Sequence, residues 1–167
     1  TSWSAAASWT YDAANPASNP PAGPAATSVP IFGANGISAD TVELGGNQTV
    51  AGLSFISPAV LTLTGGGVSS DLSLGLSGIT LDADAAGVVI GSVAANQDVD
   101  VVLTADQSWT NANAAADVST LNALNAGTNA LTLAGAGAFT LGGPVTGTGT
   151  LTLAGAGASA FGSSVND

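Results

Sequence analysis

The sequence predicts an all-β chain wound as a parallel β-helix (β-solenoid) of about six short rungs, preceded by an extended Pro-rich N-terminal segment. Three observations carry that expectation. From Thr41 onward, short segments alternate a large apolar residue with Thr, Ser, Asp or Gly, the period of a half-buried strand. Almost every such segment ends in Gly, Asn or Asp, residues that tolerate turns. The octapeptide LTLAGAGA occurs at Leu131 to Ala138 and again at Leu151 to Ala158, twenty residues later. Two regions follow from these patterns: residues 1–40 as an aromatic cap and Pro-rich strap, and residues 41–167 as the solenoid.

Taken in order, the chain begins with WSAAASW, which places Trp3 and Trp9 six residues apart with Tyr11 just beyond. Large rings cover much apolar area at low entropic cost, so these residues either close one end of the core or form a sugar-stacking or subunit-docking patch. Residues 12–30 hold five of the seven prolines, Pro20 and Pro21 among them. Proline removes a ladder donor and biases its neighbour to extended geometry, so this stretch reads as a strap. Strand-like segments follow, among them TVEL, TVAGLSF, VLTLTG, LSLGLSG, ITLDAD, VVIGSV, VDVVLT, QSWTN, ALTLAG, AFTLGG and TLTLAG. Apolar tripeptides start at Leu61, Ile79, Val101, Leu131 and Leu151, at intervals of 18, 22, 30 and 20 residues. Stacked rungs would turn Leu131, Leu133, Leu151 and Leu153 inward and stand Thr62, Thr80, Thr132 and Thr152 in an outer row. Rungs about 4.8 Å apart would make a rod about 30 Å long.

The stretches LTLAGAGAFTLGG (Leu131 to Gly143) and GTGTLTLAGAGASAFG (Gly147 to Gly162) resemble the autotransporter-associated β-strand repeat, also called the passenger-associated transport repeat. GITLDADAAGVVIGSV followed by LTADQSWTN looks like the segment preceding such repeats, and WSAAASW with NQTVAGLSF like their N-terminal portion. The resemblance implies a right-handed parallel β-helix on an exported bacterial surface protein, and no enzyme activity. Two departures stand out. Leu133 and Leu153 occupy positions where the family often has Lys, and Ser159 stands where the second repeat should carry an apolar residue.

Composition narrows the function. The chain has 11 acidic residues and no Lys, Arg or His, for a net charge of -11, with 7% charged and 46% hydrophobic residues. Phosphate backbones and anionic headgroups are bound mainly by Lys and Arg, so nucleic-acid binding is not expected. No run of about 18 apolar residues exists, which argues against membrane insertion as a helix. Without His, Cys or Lys the usual general base, thiol nucleophile, Schiff-base amine and transition-metal ligands are missing, and no enzyme is expected. Zero Cys excludes disulfides.

Carboxylates are what remain for chemistry. Asp82 with Asp84, and Asp98 with Asp100, would each share an outward face, with Ala83 or Val99 pointing in. Such oxygens suit a hard cation, so calcium is a candidate ligand at these four residues and no other cofactor is expected. The alternative is that they are plain solvated charges. Asn47 in NQT is a formal glycosylation acceptor. The threonine row raises ice binding, against the simpler reading that Thr is a good outward strand residue.

An open solenoid end presents unpaired strand groups over an exposed core. Self-association into a homopolymer, a noncovalent extracellular or cell-surface filament built end to end, is the expected function. Trp3, Trp9, Tyr11, Pro20, Pro21 and Phe161 are its candidate assembly residues. A monomeric surface adhesin recognising surface glycans through Trp3, Trp9 or Trp109 is the second reading, and ice binding the third.

Overall fold

The computed structural model describes Trp3, residues 25–33 and residues 41–166, with backbone only at 163–166. Among the described residues, fourteen strands form one continuous parallel sheet: β1 Ile31–Phe32, β2 Thr41–Glu43, β3 Gln48–Phe55, β4 Leu61–Thr64, β5 Ser70–Leu81, β6 Val88–Ile90, β7 Val99–Leu103, β8 Gln107–Asn111, β9 Asp117–Thr120, β10 Leu124–Gly127, β11 Leu131–Gly135, β12 Ala138–Gly147, β13 Leu151–Leu153 and β14 Ser159–Asn166. Every pairing is parallel and joins residues one coil apart, so the fold is a β-solenoid of about five turns. Among the described residues there is no helix, and therefore none long and apolar enough to cross a membrane.

Pairing divides the sheet into three faces. The first stacks β2, β4, β6, β9 and the starts of β12 and β14. The second stacks the starts of β3 and β5 on β7, β10 and the ends of β12 and β14. The third stacks β1 and the ends of β3 and β5 on β8, β11 and β13. Strands β3 and β5 run across the corner between the second and third faces, and β12 across that between the first and second. Gly78 makes the corner of β5: its φ is 60°, and an added Cβ would lie 2.2 Å from the Ser108 carbonyl oxygen. Only glycine meets both the conformation and the close approach.

Alternation along each strand produces stacked inward columns. On the third face Leu53, Ile79, Trp109, Leu133 and Leu153 lie one above another. On the first, Val42, Leu63, Ile90, Thr120, Leu141 and Phe161 do the same. Burying each such aliphatic side chain contributes about 1.5–3 kcal/mol. The expected stacking of Leu131 on Leu151 and of Leu133 on Leu153 is observed. Ser159 sits over Phe139 in an inward column, the irregularity the sequence announced.

Two expectations are corrected. The four threonines do not form one row: Thr62 lies on the first face, stacked on Thr41 and Val89, and the others lie on the third. There Thr80 stacks on Ser54 and Thr110, whereas Thr132 stacks on Ser108 and Thr152. Asp82, Ala83 and Asp84 are not strand but the turn after β5, with all three exposed. Their hydrogen-bonding explains it, because the Asp84 amide donates to Asp82 Oδ1 at 3.2 Å, a local turn that competes with the ladder. Val99, by contrast, is buried as expected.

The two ends differ. At the first coil, Ser28, Pro30 and Phe32 accept from the Ala51, Ser54 and Ile56 amides, so the C-terminal part of the strap is itself laid down as a rung. Trp3 is 1% exposed, its amide donates to the Glu43 carbonyl, and its ring lies 6.1 Å from that of Phe32, which stacks on Phe55 at 4.9 Å. Core residues beneath are fully buried. At the last described coil, Leu153 is 54% and Phe161 38% exposed.

Candidate functional site

The carboxylates fall into separate places. Asp71 and Asp100 are register partners on the second face, one coil apart. With Asp98, Asn47, Asn122 and Pro144 they line an open cavity of about 500 Å³. Like charges at adjacent positions repel, and this chain has no cation to separate them. The oxygens are instead engaged with neighbouring coils. Asp71 Oδ2 accepts from Asn47 Nδ2 at 3.1 Å, and Asp100 Oδ1 from the Ala123 amide at 2.9 Å. Asp98 accepts from Asn122 Nδ2 at 3.2 Å and Ser69 Oγ at 3.3 Å. One of these contacts satisfies a backbone donor, the Ala123 amide, and the others tie side chains of neighbouring coils together. Asp82 and Asp84 sit apart, at the corner between the third and first faces. Among the described residues no three Asp, Glu, His or Cys side chains converge as a metal-binding group.

Amides do similar work that the sequence reading did not single out. Asn111 is completely buried, donates from Nδ2 to the Ala116 and Ala138 carbonyls at 3.0 and 2.9 Å, and accepts from the Asn113 amide at 3.1 Å. Asn122 Oδ1 accepts from the Ser92 and Val99 amides. Gln107 turns inward, where its Oε1 accepts from Trp109 Nε1 at 2.9 Å. The only sequence signal for these roles was Asn, Asp or Gln at a strand boundary.

The aromatic candidates are redistributed. Trp109 is fully buried and Trp3 nearly so, so neither ring presents a face to a sugar or a second subunit. Trp9, Tyr11, Pro20 and Pro21 lie outside the described residues. Asn47 is exposed, but both ends of its amide are held by Asp71, through the Nδ2 contact and an Asp71 amide to Oδ1 bond at 2.8 Å. A glycan there would take one of the two Nδ2 hydrogens and leave the other for Asp71.

What the geometry brings together is the last described coil. Leu151 and Leu153 of β13 lie on Leu131 and Leu133, yet Leu153 is half exposed because no further coil covers it among the described residues. Phe161 of β14 lies on Leu141 and is likewise exposed. Among the described residues, both strands have a neighbouring strand on one edge only. Phe161 was expected at such a contact; Leu153 was expected inward, and its direction is right but its cover is missing. No Asp, Glu, Lys, Arg or His occurs between Asp117 and Asp167.

Comparison with protein-family models, curated proteins and solved structures found no match to this chain.

Proposed function

We propose that the chain is a non-enzymatic extracellular structural protein, the subunit of a noncovalent surface filament built by end-to-end association of β-solenoid subunits. The observation that carries this reading is the solenoid itself, in which each coil binds the next through parallel strand edges and stacked apolar columns, the contact that end-to-end association would repeat. Strand edges pair with further strands, and stacked apolar columns gain burial from each added coil. The resemblance to autotransporter-associated repeats supports export to a bacterial surface, and the lack of any basic side chain, thiol or imidazole supports the absence of catalysis. Negative-stain electron microscopy of the purified chain at near-physiological salt should show uniform fibres. Dispersed particles under every salt condition would overturn the filament.

One observation favours a second reading. The Trp3, Phe32 and Phe55 stack closes the first coil, as a monomeric surface module requires. With Trp3 and Trp109 buried, an adhesin of this kind would recognise surface glycans through Trp9 alone among the tryptophans. Glycan-array binding abolished by Trp9→Ala, in a chain that never forms fibres, is the result this reading requires.

A further inference from the structure

We infer that the open cavity beside Asp71 and Asp100 is a binding site for a neutral, hydroxyl-rich ligand, a saccharide. The inference rests on the glycan-recognising reading and gives it a site without an aromatic ring. It does not depend on the filament, because the cavity opens on the flank of the solenoid, across five successive coils from Asn47 to Pro144. Its volume of about 500 Å³ lies within the roughly 300–1,000 Å³ usual for small-molecule sites.

Three features assign the ligand class. First, the lining is hydrogen-bonding, with Asn47, Ser69, Ser70, Asp71, Asp98 and Asp100 contributing most of it. An apolar ligand would leave such groups buried and unpaired. Second, bonding capacity is left over. Asp71 uses Oδ2 on Asn47, and Asp100 uses Oδ1 on the Ala123 amide, so Asp71 Oδ1 and Asp100 Oδ2 accept nothing among the described residues. One Asn47 Nδ2 hydrogen is also unused. Ser70 is only 4% exposed, and the one contact of its hydroxyl, the Val68 carbonyl at 3.4 Å, is longer than an O–H···O bond of about 2.5–3.0 Å. Buried hydroxyls normally have a short partner, and a ligand oxygen at the cavity wall would supply one.

Third, charge and geometry select among polar ligands. No Lys, Arg or His exists to hold an anion, and among the described residues no three acidic side chains converge for a metal ion. Sugar hydroxyls both donate and accept. They would donate to Asp71 Oδ1 and Asp100 Oδ2, in charge-assisted bonds about twice as strong as neutral ones, and accept from Asn47 and Ser70. An ammonium group could use the acceptors alone. Asp71 and Asp100 are register partners one coil, about 4.8 Å, apart, so a single sugar ring spans both. Their other oxygens are tied to neighbouring coils, so little side-chain freedom is lost on binding.

A glycan array of neutral, sialylated and sulfated saccharides tests this, with titration calorimetry of a bound neutral oligosaccharide in the presence of a chelator. The chain should bind neutral saccharides and not the anionic ones. Asp71→Asn and Asp100→Asn each keep an acceptor for the existing contact but turn the unused oxygen into a donor, and each should weaken binding about tenfold or more. Their urea midpoints should be no lower than the parent's. Asp82→Asn, in the turn after β5, and Trp9→Ala should bind as the parent does. Binding that both Asn variants retain, or that the chelator abolishes, would overturn the site. Binding lost in Trp9→Ala alone would overturn the site and leave the glycan-recognising reading standing. A chain that binds no neutral saccharide would remove both.

Discussion

Replacing Asn111 by Ala should cost far more than any other asparagine of similar exposure pattern in sequence would suggest. Its side chain closes three hydrogen bonds inside the corner after β8: two donated to carbonyls of the Ala116 turn and of the coil at Ala138, and one accepted from the Asn113 amide. A net hydrogen bond contributes about 0.5–1.5 kcal/mol, and the buried backbone groups left behind cannot be rehydrated, so the loss should be about 3 kcal/mol. Against a typical total stability of about 5–15 kcal/mol this is a large fraction. With an urea m value of about 2 kcal/mol/M the midpoint should fall by about 1.5 M at constant m. Asn125→Ala is the matched control: Asn125 is exposed and accepts one local bond from the Gly127 amide, so its loss should stay below about 0.5 kcal/mol. Equal midpoints for the two variants would refute the argument that amides staple the coils from within.

Other perturbations follow from the same geometry. Gly78→Ala should destabilise by at least about 2 kcal/mol, combining left-handed strain with a clash on the Ser108 carbonyl; Gly67→Ala, at φ 90° in open space, should cost about 1 kcal/mol from strain alone, as compared by urea midpoints. Gln107→Leu removes the acceptor of the Trp109 indole N–H and should cost about 1–3 kcal/mol while keeping the far-UV spectrum, read by the tryptophan-fluorescence-monitored transition. Self-association should strengthen as salt rises through the physiological range, because the net charge of -11 opposes approach of like molecules, and sedimentation velocity at several salt concentrations measures this.

Much of the fold was legible because strand alternation has a period of two whatever the context, which sets inward and outward residues at Leu131 to Leu133 and Leu151 to Leu153 correctly. The stacking order was legible only where the coil length repeats. Between Leu131 and Leu151 two coils share one sequence, so the period names the partner directly. Earlier coils carry corner loops of unequal length, and the tripeptides at Leu61 and Ile79 belong to different faces despite their 18-residue spacing. That is why the threonine row dissolves. Asp82 and Asp84 satisfied the alternation rule by composition, but a local Asp side chain to backbone bond won over the ladder. Trp109 could not be told from a surface ring because its neighbour Gln107 looks polar, when it is the buried partner of the indole. For the candidate site, Phe161 was readable as an apolar residue in the final repeat. The openness of Leu153 was not, because exposure depends on whether another coil lies above it.

Concentration-dependent light scattering of the purified chain at near-physiological salt tests the central claim, self-association of the solenoid, most directly. The account predicts a mass that rises with concentration well beyond that of one chain. A constant monomer mass at every concentration would contradict it.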